Sequence, residues 1–246
     1  MLGIIDWGIG GIGIYKLIKE KLGDVPVVYF SDTGATPYGK MSRQELVSRL
    51  DSVIEFLKTR GITHLVIGCN AASTAIPYLK PHGIKIDGVI ESAVAATLRL
   101  KLARLGLIGG RRTILSGVYR KSFAEHGIRL EQRIAQPLSG LVEGGDVSSE
   151  VLKMECRRIL KPLKNCSHIL MACTHYPAID DVMANFVSVD TVLIDPATEM
   201  VRKIRRLKLS AGGGDRFVTS GDPRGMKKAA WTAFGVKLDG IEKRKI

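Results

Sequence analysis

Short apolar runs alternate with longer amphipathic stretches along this chain, and that alternation constrains the fold more than any other feature. Leu2–Ile5, Val25–Phe30, His64–Gly68 and Gly88–Ile90 read as strands in the first part; Leu105–Ile108, His168–Ala172 and Thr191–Ile194 do so in the second. Between them, Ile14–Leu22, Ser42–Arg60 and Ser149–Leu160 space their apolar residues three and four apart, as amphipathic helices do. Ser42-Arg43-Gln44-Glu45 has the form of a capping box and predicts a helix start. Strand–helix alternation predicts an α/β fold with mostly parallel sheets. At 246 residues, 45% of them apolar, the chain can bury a large core; disorder, collagen and coiled coil are excluded. No run approaches the roughly 18 apolar residues of a membrane helix. Met1–Asp6 reads directly as a strand, without a basic segment and apolar stretch before it, so no signal peptide is expected. Four cysteines are too few for a disulfide scaffold. These features predict a soluble cytoplasmic protein with reduced thiols and no membrane partner.

The two halves look alike at one place. Leu65-Val66-Ile67-Gly68-Cys69-Asn70 and Ile169-Leu170-Met171-Ala172-Cys173-Thr174 are both apolar strands ending in Cys and a small polar residue. Ligands of parallel sheets bind beyond the carboxyl ends of the strands, which puts both cysteines where chemistry is found. Two facing lobes with mostly parallel sheets, one Cys offered from each and the active site in the cleft between them, fit this pattern. Cys156, inside a helical pattern, and Cys166, in a connecting segment, read as inert packing.

A competing signal lies in Gly8-Ile9-Gly10-Gly11-Ile12-Gly13, a Gly-x-Gly-x-x-Gly turn between a strand and a helix, with Asp32 at the end of the next strand. That is the dinucleotide fingerprint. Against it, Asp6 puts a negative charge beside the place for the phosphates, and the two strand-end cysteines stay unexplained. Cys173-Thr174-His175 supplies only two close metal ligands and lacks paired Cys-x-x-Cys spacing, so no metal is expected. Two symmetric thiols suggest instead an acid on one face of a carbon and a base on the other, which together invert its configuration. No pyridoxal-type lysine motif is apparent, and no cofactor is expected.

Together these segments resemble the cofactor-independent aspartate/glutamate racemase family. Asp6-Trp7-Gly8-Ile9-Gly10-Gly11 is similar to its Asp-Ser-Gly-x-Gly-Gly opening, and Asp32-Thr33 with Pro37-Tyr38-Gly39 to its Asp-Thr…Pro-Tyr-Gly segment. Cys69-Asn70-Ala71-Ala72 resembles Cys-Asn-Thr-Ala, and Cys173-Thr174-His175-Tyr176-Pro177 matches Cys-Thr-His-Tyr-Pro. Leu141-Val142-Glu143-Gly144-Gly145 and Phe217-Val218-Thr219-Ser220-Gly221 follow in the family's order. The resemblance implies a first α/β lobe from residues 1–96 plus 210–246 and a second from 97–209. It implies that Cys69 and Cys173 are the acid/base pair, with Asp6 assisting Cys69, and His175 with Glu143 assisting Cys173. It places Trp7, Pro37, Tyr38, Gly39, Asn70, Ala71, Thr113 and Thr174 around an amino-acid substrate, glutamate in the first instance, converted to the D-form for peptidoglycan. A homodimer is possible under the same resemblance.

This chain departs from the family where Trp7 replaces Ser and Ala71 replaces Thr, and more mildly at Glu91-Ser92-Ala93. The proton-transfer groups are kept while groups that read the substrate change. That combination points to another amino acid or to lower efficiency with glutamate; a ligand-binding scaffold without turnover is the remaining alternative. Lys+Arg number 37 against 24 Asp+Glu, a formal net charge of +13. Arg202, Lys203, Arg205 and Arg206 flank Val201, Ile204 and Leu207 in what reads as one amphipathic helix with a solvated basic face. No nucleic-acid fold signature and no interleaved aromatics accompany the charge, so a nucleic-acid partner is not expected.

Overall fold

In the computed structural model, which describes residues 1–207, 209 and 212–246, the alternation resolves into two sheets in which every strand pair is parallel. In chain order the elements are β1 (Leu2–Asp6), α1 (Ile12–Leu22), β2 (Val27–Ser31), α2 (Arg43–Thr59), β3 (His64–Ile67), α3 (Asn70–Ser73), β4 (Lys85–Gly88) and α4 (Val89–Leu98). Then come β5 (Arg104–Gly109), α5 (Arg111–Leu115), α6 (Val118–Ala124), β6 (Arg129–Ile134), α7 (Gln136–Glu143), α8 (Glu150–Leu160) and β7 (His168–Ala172). The chain closes with α9 (Asp180–Ala184), β8 (Val192–Ile194), α10 (Ala197–Arg205), β9 (Arg216–Thr219), α11 (Pro223–Phe234) and β10 (Glu242–Lys243).

The first sheet has the order β10-β9-β2-β1-β3-β4 and the second β6-β5-β7-β8. All five residues of β1 and of β2 are buried, which is why these strands read as continuous apolar runs rather than alternating ones. Helices cover both faces of each sheet's centre, and one buried cluster holds Ile4 and Val66 of the first sheet together with Ile108 and Met171 of the second. Strands of the first sheet come from residues 2–88 and 216–243, those of the second from 104–194. Ser210, the expected start of the first lobe's C-terminal part, lies outside the described residues.

Local chemistry accounts for the element boundaries. Ser42 Oγ accepts from the Glu45 N–H at 3.2 Å and Glu45 Oε2 from the Ser42 N–H at 2.7 Å, so the capping box closes as expected. The run Gly88–Ile90 is not a strand. β4 is Lys85–Gly88, and Val89 and Ile90 form the first turn of α4, where their side chains are buried. A three-residue apolar run carries no period, so strand and helix start are indistinguishable in it. α10 buries Val201 and Ile204 and exposes Arg202 and Arg205, as its spacing predicts; its Lys203 pairs with Asp87 at 2.7 Å. Among the described residues no helix is long and apolar enough to cross a membrane.

Candidate active site

The carboxyl ends of the central strands converge on a cavity of about 310 Å³. β1 delivers Asp6 and Trp7, β3 delivers Cys69 and Asn70, and β7 delivers Cys173, Thr174 and His175, all of which line it. Cys69 sits at the N-cap of α3 with extended backbone, φ −94° and ψ 125°, which turns its side chain off the strand axis and into the space between the sheets. Pro37, Tyr38, Gly39, Ala71 and Thr113 also line the cavity. The structure thus brings together every residue singled out from the sequence except Glu143, which stands behind His175 and bonds to it. A larger, open depression of about 750 Å³ lies along the outer face of α2, among Arg43, Ser48, Tyr78 and Lys80. It contains neither thiol nor any other of these groups.

Each thiol has its own polar partners. On the Cys173 side, His175 Nδ1 lies 3.6 Å from Sγ, and His175 Nε2 lies 2.7 Å from Glu143 Oε2. The same carboxylate oxygen accepts the Ile9 N–H at 2.9 Å, so a group on α7 is fixed by the turn after β1, 134 residues away in sequence. Burial disfavours charge on His175, but its contacts with Cys173 and Glu143 outweigh burial and hold its pKa well above the usual imidazole range. On the Cys69 side, Asp6 is 1% exposed. Its Oδ1 accepts the Trp7 N–H at 2.6 Å and its Oδ2 the Thr174 hydroxyl at 2.9 Å. Burial raises the Asp6 pKa above the ordinary carboxylate value, against the lowering effect of His175 and Thr174. Burial, reinforced by the neighbouring Asp6 charge, also pushes the Cys69 thiol well up. The site therefore sets a thiol with a carboxyl group beside it opposite, on the other sheet, a thiol beside the His175–Glu143 pair; in its protonated form a thiol gives a proton, and as thiolate it takes one. That is the equipment for giving a proton on one side and taking one on the other.

The glycines of the turn after β1 serve this arrangement. A Cβ on Gly8 would lie 2.0 Å from Glu143 Oε2, and one on Gly10 would lie 2.5 Å from Thr174 Oγ1 and 2.7 Å from His175 Nδ1. These residues are small because side chains of the opposing sheet press against their backbone. Asp32, the acid of the dinucleotide fingerprint, is fully buried. Its carboxylate takes Arg49 through Nε at 2.8 Å and Nη2 at 2.5 Å, Tyr38 Oη at 2.8 Å and Ser220 Oγ at 2.7 Å. No lone pair is left to face a ribose, and the acid instead holds the Pro37–Gly39 wall through Tyr38.

Trp7 enters the cavity with its polar atom already used, because Nε1–H donates to the Ala35 carbonyl at 3.1 Å; the indole offers a ligand only apolar surface. Asn70 is 3% exposed. Its Oδ1 accepts from Tyr119 Oη at 2.6 Å, and its Nδ2 is buried without a partner among the described residues. Lys40, Arg111, Gln136 and Ser139 line the cavity too, and were not singled out from the sequence. Nothing local marks them: a lone charged or polar residue in a connecting segment looks like any solvated one. Cys156 and Cys166 are buried in the core, away from the cavity, and burial pushes Cys156 up to about 11.

Comparison with known proteins extends the likeness over the chain. The family model for Asp/Glu/Hydantoin racemase matches residues 2–204. The glutamate racemase of Aquifex aeolicus (strain VF5) is 33% identical over 217 residues, covering 87% of this chain and 85% of that protein. A glutamate racemase isoform from Bacillus anthracis superposes with a TM-score of 0.91 at 23% identity, covering 100% of this chain and 97% of that one. The glutamate racemase of Francisella tularensis subsp. tularensis SCHU S4, solved in complex with D-glutamate, superposes with a TM-score of 0.88 at 24% identity, covering 99% and 97%. At those two identities the superpositions speak to the fold, while the family match and the Aquifex relative speak to descent. The chain belongs to the Asp/Glu/Hydantoin racemase family.

Proposed function

We propose that this protein is a cofactor-independent racemase that inverts the α-carbon of glutamate with Cys69 and Cys173 as opposed acid and base. One observation carries the reading: the two thiols end strands of different sheets, line one cavity, and each has its own titratable partners. The thiolate of one cysteine takes the α-proton, breaking C–H and forming S–H. The electron pair left on carbon then takes the proton of the other thiol, leaving that sulfur as thiolate. Reversal of direction exchanges the roles. Asp6 serves Cys69, and His175, oriented by Glu143, balances negative charge on Cys173. For this chemistry each sulfur must come within roughly 3–3.5 Å of the carbon, so the sulfurs flank it at a separation on the order of 7–8 Å.

Glutamate is the substrate that the Aquifex relative supports, and a cavity of about 310 Å³ suits an amino acid of that size. The two lobes on which the thiols stand are residues 1–96 plus 210–246, and 97–209; the division of strands between the sheets supports them. In the cytoplasm the D-glutamate formed would supply peptidoglycan, the role that the resemblance implies. The test is solvent-deuterium exchange at Cα with a panel of amino acids. Glutamate is expected to exchange and racemise, and Cys69→Ser and Cys173→Ser each to abolish racemisation. No exchange with any amino acid would leave a binding scaffold in place of an enzyme.

A further inference from the structure

The cavity has two cations that the racemase chemistry does not use. Lys40 follows the Pro37–Gly39 segment of the first lobe, and Arg111 opens α5 of the second; both are exposed at the mouth and both line the cavity. Neither side chain has an ion-pair or hydrogen-bond partner among the described residues; their backbones are engaged, the Lys40 N–H donating to the Pro37 carbonyl at 2.7 Å and the Arg111 N–H to Gln136 Oε1 at 3.1 Å. Most other cations near the lobe junction are spent: Arg49 on Asp32, Arg99 on Glu199, Lys203 on Asp87. Gln136 shows how close the two free ones stand. A Cβ on Gly110 would lie 3.1 Å from Gln136 Oε1, and one on Gly39 would lie 3.8 Å from the same atom. The residues directly after these glycines, Arg111 and Lys40, therefore flank one point of the mouth from opposite lobes.

On the Arg111 side, that point lies one strand over from Cys173. β5 and β7 are neighbours with Gly109 opposite Ala172, so Arg111 and Cys173 lie just beyond the ends of adjacent strands. Adjacent strands are about 5 Å apart. A carboxylate two methylenes from Cα reaches about that far. Among the described residues Asp6 is the one carboxylate that lines the cavity, and it is tied to Trp7 and Thr174. Trp7 and Ala71, in turn, supply no free hydroxyl to read a polar side chain.

We infer that Lys40 and Arg111 form a two-sided cationic clamp on the side-chain carboxylate of the substrate, selecting a dicarboxylic amino acid over its neutral isostere. The inference rests on the racemase reading for what the clamp holds, but its binding arm is independent of turnover. Charge-assisted hydrogen bonds to one carboxylate hold the side chain, and their loss weakens binding about 10- to 100-fold each. The experiment compares glutamate with glutamine for Lys40→Gln, Arg111→Gln and the double variant, by Cα deuterium exchange and by calorimetric binding. The glutamate-to-glutamine ratio of kcat/KM is expected to fall at least 10-fold in each single variant and further in the double, through KM rather than kcat. Arg43→Gln is the control for the general positive field, because Arg43 stacks on Tyr78 at 4.4 Å outside this cavity. A double variant that keeps the wild-type ratio, or an Arg43→Gln that lowers it equally, overturns the clamp. Absence of exchange in the wild type with intact, clamp-dependent glutamate binding overturns the racemase reading alone. Absence of glutamate binding by the wild type overturns the clamp.

Discussion

Two side chains at the end of β1, Asp6 and Trp7, line the cavity and differ in what they offer it. Trp7 donates its indole N–H to the Ala35 carbonyl and offers the cavity only apolar surface, at a position where the resembled family has a hydroxyl. The double change Trp7→Ser with Ala71→Thr is expected to raise kcat/KM for glutamate. Two restored charge-assisted contacts are worth up to about 3–4 kcal/mol if they do not couple unfavourably. An unchanged or lower rate in a folded double mutant would show that these positions do not set specificity. Asp6, one residue earlier, is a carboxyl group held above its ordinary value of 3.8 chiefly by burial. The sign of its effect follows. Because the folded state holds this proton to higher pH than the unfolded state, its contribution favours folding below 3.8 and is lost as pH rises through the folded pKa. Asp6→Asn is therefore expected to melt higher than wild type at neutral pH, with the gain shrinking on acidification, while racemisation falls. A variant that melts lower at neutral pH than in acid, relative to wild type, would contradict this.

At the scale of elements, the strand ends and the turns after them carry the site, and the glycine-rich turn between β1 and α1 is its tightest joint. Gly8→Ala would drive a methyl group into the Glu143 carboxylate, which also holds His175 and the Ile9 N–H. The expected result is loss of Cα exchange by about 10²-fold or more, as misplacement of a positioned group produces. Circular dichroism should still report a folded α/β protein, and retention of wild-type exchange would mean that Glu143 does not position His175. The turn's glycine pattern was legible in the sequence, yet its cause was not. Spacing alone equally admits a phosphate, and only the packing shows the opposing side chains that require bare backbone. β6 was illegible for a different reason. Arg129–Ile134 is an edge strand whose charged residues break any apolar run, and its partner β5 is what makes it a strand.

Across the whole molecule, 37 basic against 24 acidic residues give a formal net charge of +13, and two of these cations, Lys40 and Arg111, line the cavity. A net positive field raises the local concentration of anionic ligands and is screened within about 8 Å at physiological ionic strength. The kcat/KM for glutamate is accordingly expected to fall as salt rises, and that for a neutral amino acid to change less. Equal salt dependence for both would remove steering as a role for the charge. The basic face of α10 leaves Arg202 and Arg205 exposed, while Lys203 pairs with Asp87 and Glu199 with Arg99.

The α/β class, the strands β1, β3, β5 and β7, the capping box and the strand-end places of Cys69 and Cys173 were readable from the sequence alone. All of these rest on patterns within a few residues, where periodicity and backbone preference act directly. It also ordered the motifs that place the chain in its family. What meets across the two sheets came only with the packing: Asp6 with Thr174, 168 residues apart, and Glu143 with Ile9, 134 apart. The tertiary structure decided that Asp32 is a buried partner of Arg49 rather than a ribose ligand, and that Lys40 and Arg111 share one mouth. Such contacts join segments whose spacing in the chain carries no period. They exist because one buried apolar cluster spans the two sheets and so presses their loops together.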